Sequence, residues 1–146
     1  MKEPSLSGAA KYKALVAYRF LWLRTFHQPI AIRLTIRLDG TGFLSGKVTN
    51  GKRGYEPGAL TLTNSVEVPK PEVQQFLDLV YKTEFWTSQT EETTPGVDGA
   101  EWILEGAQSG NYHVVERWNP EKDDYSRACL YLLGLSKISV PATEIY

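Results

Sequence analysis

Apolar residues recur at every second position from Ile30 to Leu38. Ile30, Ile32, Leu34, Ile36 and Leu38 alternate with Ala31, Arg33, Thr35 and Arg37. That period is the signature of a strand with one face buried and one wet. Upstream, aromatics fall at Tyr18, Phe20, Trp22 and Phe26 with Arg19, Leu21, Leu23 and Thr25 between them. Tyr18–Phe26 therefore reads as a strand with one strongly aromatic face. A helix competes there, because Lys13–Leu23 holds no breaker. Asp39-Gly-Thr-Gly42 is a hairpin turn. A third strand spans about Phe43–Thr49, a Gly-rich loop covers Asn50–Gly58, and a fourth strand covers Ala59–Val66.

The period then changes. Pro69 and Pro71 suit the first turn of a helix, where no N–H bond is lost. Val73, Phe76, Leu77, Val80 and Tyr81 follow at i, i+3, i+4, i+7 and i+8, one apolar stripe ending near Phe85-Trp86. Phe85-Trp86 is expected to plug the core after that helix. Ser88–Gly99 is a polar loop. Two more strands follow, and then a helix capped by Asp123 or Asp124 with Tyr125, Cys129, Leu132 and Leu133 inward. The order ββββαββα predicts an α+β domain: an antiparallel sheet of about six strands with two helices packed on one face. Residues 1–13 read as a flexible N-terminus, 14–138 as one domain and 139–146 as an extended C-terminal tail.

The last two strands carry the chemistry. With a two-residue turn at Ser109-Gly110 or at Gly110-Asn111, one face holds Glu101, Ile103, Glu105, Tyr112, Val114, Glu116 and Trp118. The other holds Trp102, Leu104, His113, Val115 and Arg117. Burying three unpaired carboxylates would cost several kcal/mol each, on the order of a domain's whole stability. The second face therefore belongs to the core, and the acidic–aromatic face is expected to be exposed. A Gly110-Asn111 turn would set Glu105 opposite Glu116, two like charges in direct opposition. Ser109-Gly110 avoids this, setting Glu105 opposite Val114, and is the favoured register.

Composition narrows the function classes. The 146 residues carry a net charge of −1 with 42% hydrophobic and 12% aromatic content. There is no basic footprint for nucleic acid, no polybasic membrane patch and no apolar run long enough to span a bilayer. Ala14–Leu23 is broken by Arg19 and lacks a cleavage site, so it fails the secretory pattern. The compartment stays open between cytoplasm and an exported domain without its leader. One cysteine, Cys129, allows neither an internal disulfide nor a CxxC zinc site, and it reads as a small buried hydrophobe.

No nucleophile elbow, Walker A loop or GxGxxG is present. His27, His113 and the acids match no metal spacing, so no metal or cofactor is expected. Asn50–Gly58 has Lys52, Arg53 and three glycines, but a strand follows it where a phosphate cradle needs a helix. Arg53 and Tyr55 at its tip would suit a protein contact.

The stretch "DGAEWILEGAQSGNYHVVERWNP" (Asp98–Pro120), with "YRFLWLRTFHQP", "GYEPG" and "FW" before it, resembles a set of small bacterial proteins of uncharacterised function. The shared signature is DGAxWxxEGxxxGxYHxxxRWxP, and the matches span about Tyr18–Leu135. Many members carry export or lipoprotein signals, which this sequence lacks. The resemblance implies a common fold and assigns no catalytic residue.

The residues favour binding over catalysis. The expectation is a protein-binding module, of immunity or inhibitor type, that meets a basic patch on another protein through Glu101, Glu105, Tyr112, Glu116 and Trp118. The Ser88–Asp98 loop would join that surface. A second reading is a small hydrolase or lyase using Asp98, Glu105 and His113. A third is a structural subunit of a cell-envelope assembly, which would self-associate through an exposed strand edge.

Overall fold

Four strands pair in sequence order before the first long helix. β1 (Val16–Arg24), β2 (Ile30–Ile36), β3 (Gly42–Thr49) and β4 (Leu60–Val68) form an antiparallel meander. This is a computed structural model, and it describes residues 4–51, 56, 58–91 and 96–146. Helix α2 (Lys70–Lys82) then carries the chain back over the sheet to the far side of β1. There β5 (Ala100–Gln108) pairs antiparallel with β1, and β6 (Asn111–Trp118) pairs with β5. The strand order is β4-β3-β2-β1-β5-β6. Helix α3 (Asp124–Ser136) packs beside α2 on the same face of the sheet, so the α+β architecture is the one expected.

Alternation explains the core. Tyr18, Phe20 and Trp22 of β1, Ile30, Ile32 and Leu34 of β2, and Trp102 and Leu104 of β5 all point at the helices and are fully or almost fully buried. They meet Val73, Phe76 and Val80 of α2 and Tyr125, Cys129, Leu132 and Leu133 of α3. Trp22 and Trp102 are directly paired in register, with ring centroids 5.1 Å apart. Phe20 packs 5.3 Å from Trp102, and Tyr18 meets Phe76 edge-on at 5.3 Å. Each such side chain contributes about 1.5–3 kcal/mol by leaving water. Gly106 lies in this layer because a Cβ there would come 2.7 Å from the Phe85 ring, which plugs the core as expected. Asp123 caps α3 reciprocally with Ser126.

Several edges differ from the sequence expectation. β2 ends at Ile36 because Arg37 N donates to Thr41 O and closes the hairpin; Leu38 is thereby left in solvent. β1 ends at Arg24, and Phe26 leaves the sheet and is exposed. Tyr81 is 85% exposed, since position i+8 lies about 80° around the helix from Val73, at the margin of the stripe. Trp86 is only partly covered, unlike Phe85.

The termini are the larger correction. Within residues 1–13, Ser5 caps a short helix α1 (Leu6–Ala9), and Leu6 and Ala10 are buried. α1 packs on the sheet face away from α2 and α3, against β1, β5 and β6. Ala17 and Ala107, paired in register and fully buried, leave the shallow space that lets it sit close. The short α1 is thus additional to the expected pair, α2 and α3, which share the other face.

The C-terminal segment is docked as well, with a 3-10 turn at Ala142–Glu144. Trp102 Nε1 donates to Tyr146 O (2.9 Å), and Tyr146 Oη shares a hydrogen bond with His27 Nδ1 (2.8 Å). Buried Arg24 lies 4.6 Å over the Trp22 ring and donates to Gln28 O and Glu144. Among the described residues no helix is long and apolar enough to cross a membrane.

If α1 is an integral part of the fold, Leu6→Ala leaves a cavity under it and costs about 2–3 kcal/mol. Urea denaturation reads this directly; an unchanged midpoint would mean that the N-terminal segment is dispensable.

Candidate partner-binding face

The β5–β6 turn decides which way every side chain of the hairpin points. Ser109 and Gly110 both have positive φ, 53° and 82°, the requirement of the two-residue turn that matches strand twist. The ladder from Gln108↔Asn111 places Glu105 opposite Val114 and Ile103 opposite Glu116. This is the favoured register, without the Glu105–Glu116 opposition. Trp102, Leu104 and Val115 enter the core, and Tyr125 Oη lies 2.7 Å and 2.9 Å from the carbonyls of Trp102 and Val115. The acidic face turns away from α2 and α3.

Glu105 does not behave as a solvated carboxylate. It is 8% exposed and pairs with Arg19, its direct partner in the β1–β5 register. Tyr112 Oη donates to its other oxygen at 2.8 Å. Burial, and then the Glu105 carboxylate, push the Tyr112 phenol up to about 12. Arg19 also stands opposite Arg33 on β2, and both guanidinium groups donate to Pro4 O. The expected exposure of Glu105 fails because the N-terminal segment folds over this part of the face. Tyr112 keeps one side open, at 36% exposure.

The other acids form a separate group nearer the Trp118 end. Glu116 N donates to Thr90 O (2.7 Å), and Glu91 bridges to Glu116 in parallel, so the outer edge of β6 is partly capped by the chain itself. This brings Glu91 beside Glu116. Glu101 lies diagonally across from Glu116, with Trp118 as its register partner. Burial and the Glu91 charge raise the Glu101 carboxyl above its ordinary range. Burial raises Glu116 as well, followed by the charges of Glu101, Glu91 and Glu105. No cation among the described residues forms an ion pair with any of the three.

Half-buried apolar side chains lie alongside: Leu21 opposite Ile103, and Leu23 opposite Glu101. Trp118 packs against Gly96, where a Cβ would come 2.9 Å from its Nε1. Glu91 is the member that sequence reasoning did not single out. It sits in a Thr- and Glu-rich loop with no period, and only its pairing to β6 places it. Residues 92–95 of that loop, and Arg53 and Tyr55 of the Asn50–Gly58 loop, lie outside the described residues.

The acid–base constellation does not assemble. His113 lies on the helix side of the hairpin, with Nε2 2.8 Å from Ser88 O and its ring edge-on to Phe85 at 5.3 Å. Glu105 is on the opposite face, and Asp98 precedes the far end of β5. The three therefore share neither a face nor an end of the hairpin. His27 is engaged with Tyr146 and lies 3.7 Å from Glu144. Among the described residues no group of three or more His, Cys, Asp and Glu is arranged to hold a metal. Cys129 is fully buried, which pushes its thiol up and leaves it inert as a nucleophile.

No protein-family model matches the chain, and no curated protein matches it. The resemblance drawn from the hairpin signature thus rests on those residues alone.

Glu105→Gln removes the charge that compensates Arg19 and is expected to cost about 3 kcal/mol at neutral pH, the range for breaking a buried pair. Chemical denaturation at pH 7 checks it, and wild-type stability in the variant would show that Glu105 is a surface acid after all.

Proposed function

We propose that the chain is a protein-binding module that recognises a basic surface on another protein. Glu91, Glu101 and Glu116 would meet that surface, Trp118 with Leu21, Leu23 and Ile103 would supply apolar contact, and Tyr112 would border it. Glu105 belongs to this reading as the support beneath Tyr112, fixed by Arg19.

One observation carries the proposal: Glu101 and Glu116 are half-buried beside the exposed Glu91, burial and then neighbouring negative charge raise both carboxyls, and no cation among the described residues forms an ion pair with any of the three. An arginine or lysine from a partner would offset that negative charge as it bound. Charge complementarity speeds the encounter and sets orientation, while an aromatic beside desolvated charge is the usual anchor of such an interface. Glu101, Ile103, Glu116 and Trp118 stand on two paired strands, which lowers the ordering cost of presenting them. An inhibitor or immunity role suits a small acidic face of this kind.

The test is capture from a lysate of the source cells. The wild-type chain should retain a basic protein, release it as ionic strength rises, and lose it in Glu101→Lys/Glu116→Lys. Both proteins are first confirmed folded by circular dichroism. Retention of the same protein by the charge-reversed variant, or capture insensitive to salt, would overturn the proposal.

A further inference from the structure

Helix α2 ends in a tightly wound turn. Glu84 O accepts from the N–H groups of Thr87 and Ser88, both at 3.0 Å. Ser88 O in turn lies 2.8 Å from His113 Nε2 on β6. Trp86 is fixed within this framework. Its ring meets Phe85 edge-on at 5.1 Å, Tyr18 at 6.4 Å and His113 at 6.5 Å. It still keeps 36% of its surface open, and Tyr81, on the last turn of α2, is 85% exposed.

Both rings line a cavity of about 420 Å³, to which the buried Val80 and Phe85 also contribute. The rest of the lining is polar: Lys82, Glu84 and Thr87. Small-molecule sites have this make-up, roughly 300–1,000 Å³ of mainly apolar and aromatic surface with a few polar groups that fix orientation. Glu84 carries a further mark. It stands just past the helix cap with φ 53°, in the left-handed region where glycine is usual. A glutamate there bears backbone strain that glycine would avoid, and its side chain is on the cavity.

The lining also defines the ligand's chemistry. Lys82 and Glu84 carry opposite charges, so together they favour neither an anion nor a cation. The ammonium only donates, the carboxylate only accepts, and the Thr87 hydroxyl does both. The matching ligand is neutral, has apolar faces for the rings, and carries donors and acceptors around its edge. A nucleotide would add phosphate, for which the lining has one lysine already balanced by Glu84. We infer that the cavity binds the ring of a neutral sugar, with its C–H face on Trp86 or Tyr81 and its hydroxyls on Lys82, Glu84 and Thr87. The site lies on the helix side of the sheet and is independent of the acidic face.

The indole N–H signals of the chain's four tryptophans read the site directly by NMR, with Trp22, Trp102 and Trp118 as internal controls. The Trp86 signal is identified by its loss in Trp86→Phe. Cellobiose, maltose and N,N′-diacetylchitobiose are titrated into the full chain. At least one of them is expected to move the Trp86 signal saturably and leave the other three in place. Tyr81→Ala and Glu84→Gly should each weaken that sugar by about tenfold. The urea midpoint should stay at the wild-type value in Tyr81→Ala and at or above it in Glu84→Gly, so lost binding is not lost folding. A Trp86 signal unmoved by all three sugars, adenosine or tetramethylammonium binding there in their place, or unchanged affinity in either variant would overturn the assignment.

Discussion

The parity of a two-residue turn governs this structure. Ser109 and Gly110 take the left-handed conformations that close β5 onto β6 with no extra residue. A slip of one position would reverse every side chain of a strand, sending Trp102 and Leu104 to solvent and the glutamates toward the helices. Trp102 packs on Trp22 and Phe20, and its indole N–H holds the C-terminal residue. The turn therefore reaches both the aromatic core and the docking of the tail. It is also what gathers acids on the remaining face.

Burial then divides those acids into two kinds. Glu105 lies where β1 presents Arg19 and where the N-terminal segment closes over the sheet, so it becomes an interior ion pair. Glu101 and Glu116, further along toward the Trp118 end, lie beyond that cover and have Glu91 beside them. The same residue type on the same two strands thus does opposite work. One member ties β1, β5 and β6 together, and the others are half-buried acids whose carboxyls are raised first by burial and then by neighbouring negative charge. Tyr112 joins the two parts, with its hydroxyl on Glu105 and its ring at the surface.

Local periodicity made much of this legible in the chain. The alternation in β2, the α3 stripe with its Asp123 cap, and the sorting of hairpin faces all depend on neighbours within a few residues. So does the choice between turns, which needed only the cost of opposing Glu105 and Glu116. What escaped depends on distant pairings. Arg19 meets Glu105 because α2 returns the chain to the free side of β1, and no pattern in either strand records that. The packing of Leu6 on Ala17 and Ala107 joins a segment of small and polar residues to strands that form much later in the chain. Asp98, Glu105 and His113 look close in the sequence, yet strand alternation and strand length keep them apart.

The central claim is that Glu101 and Glu116 are carboxylates held charged against burial first and neighbouring negative charge second, whereas a merely solvated acidic surface would leave them unperturbed. Site-resolved NMR titration of the glutamate side-chain carboxyls tests this most directly. Glu101 and Glu116 are expected to titrate above the ordinary glutamate value of about 4.3. Midpoints at or below that value would mean that the charges are well solvated or already compensated, and the patch would have nothing to gain from a basic partner.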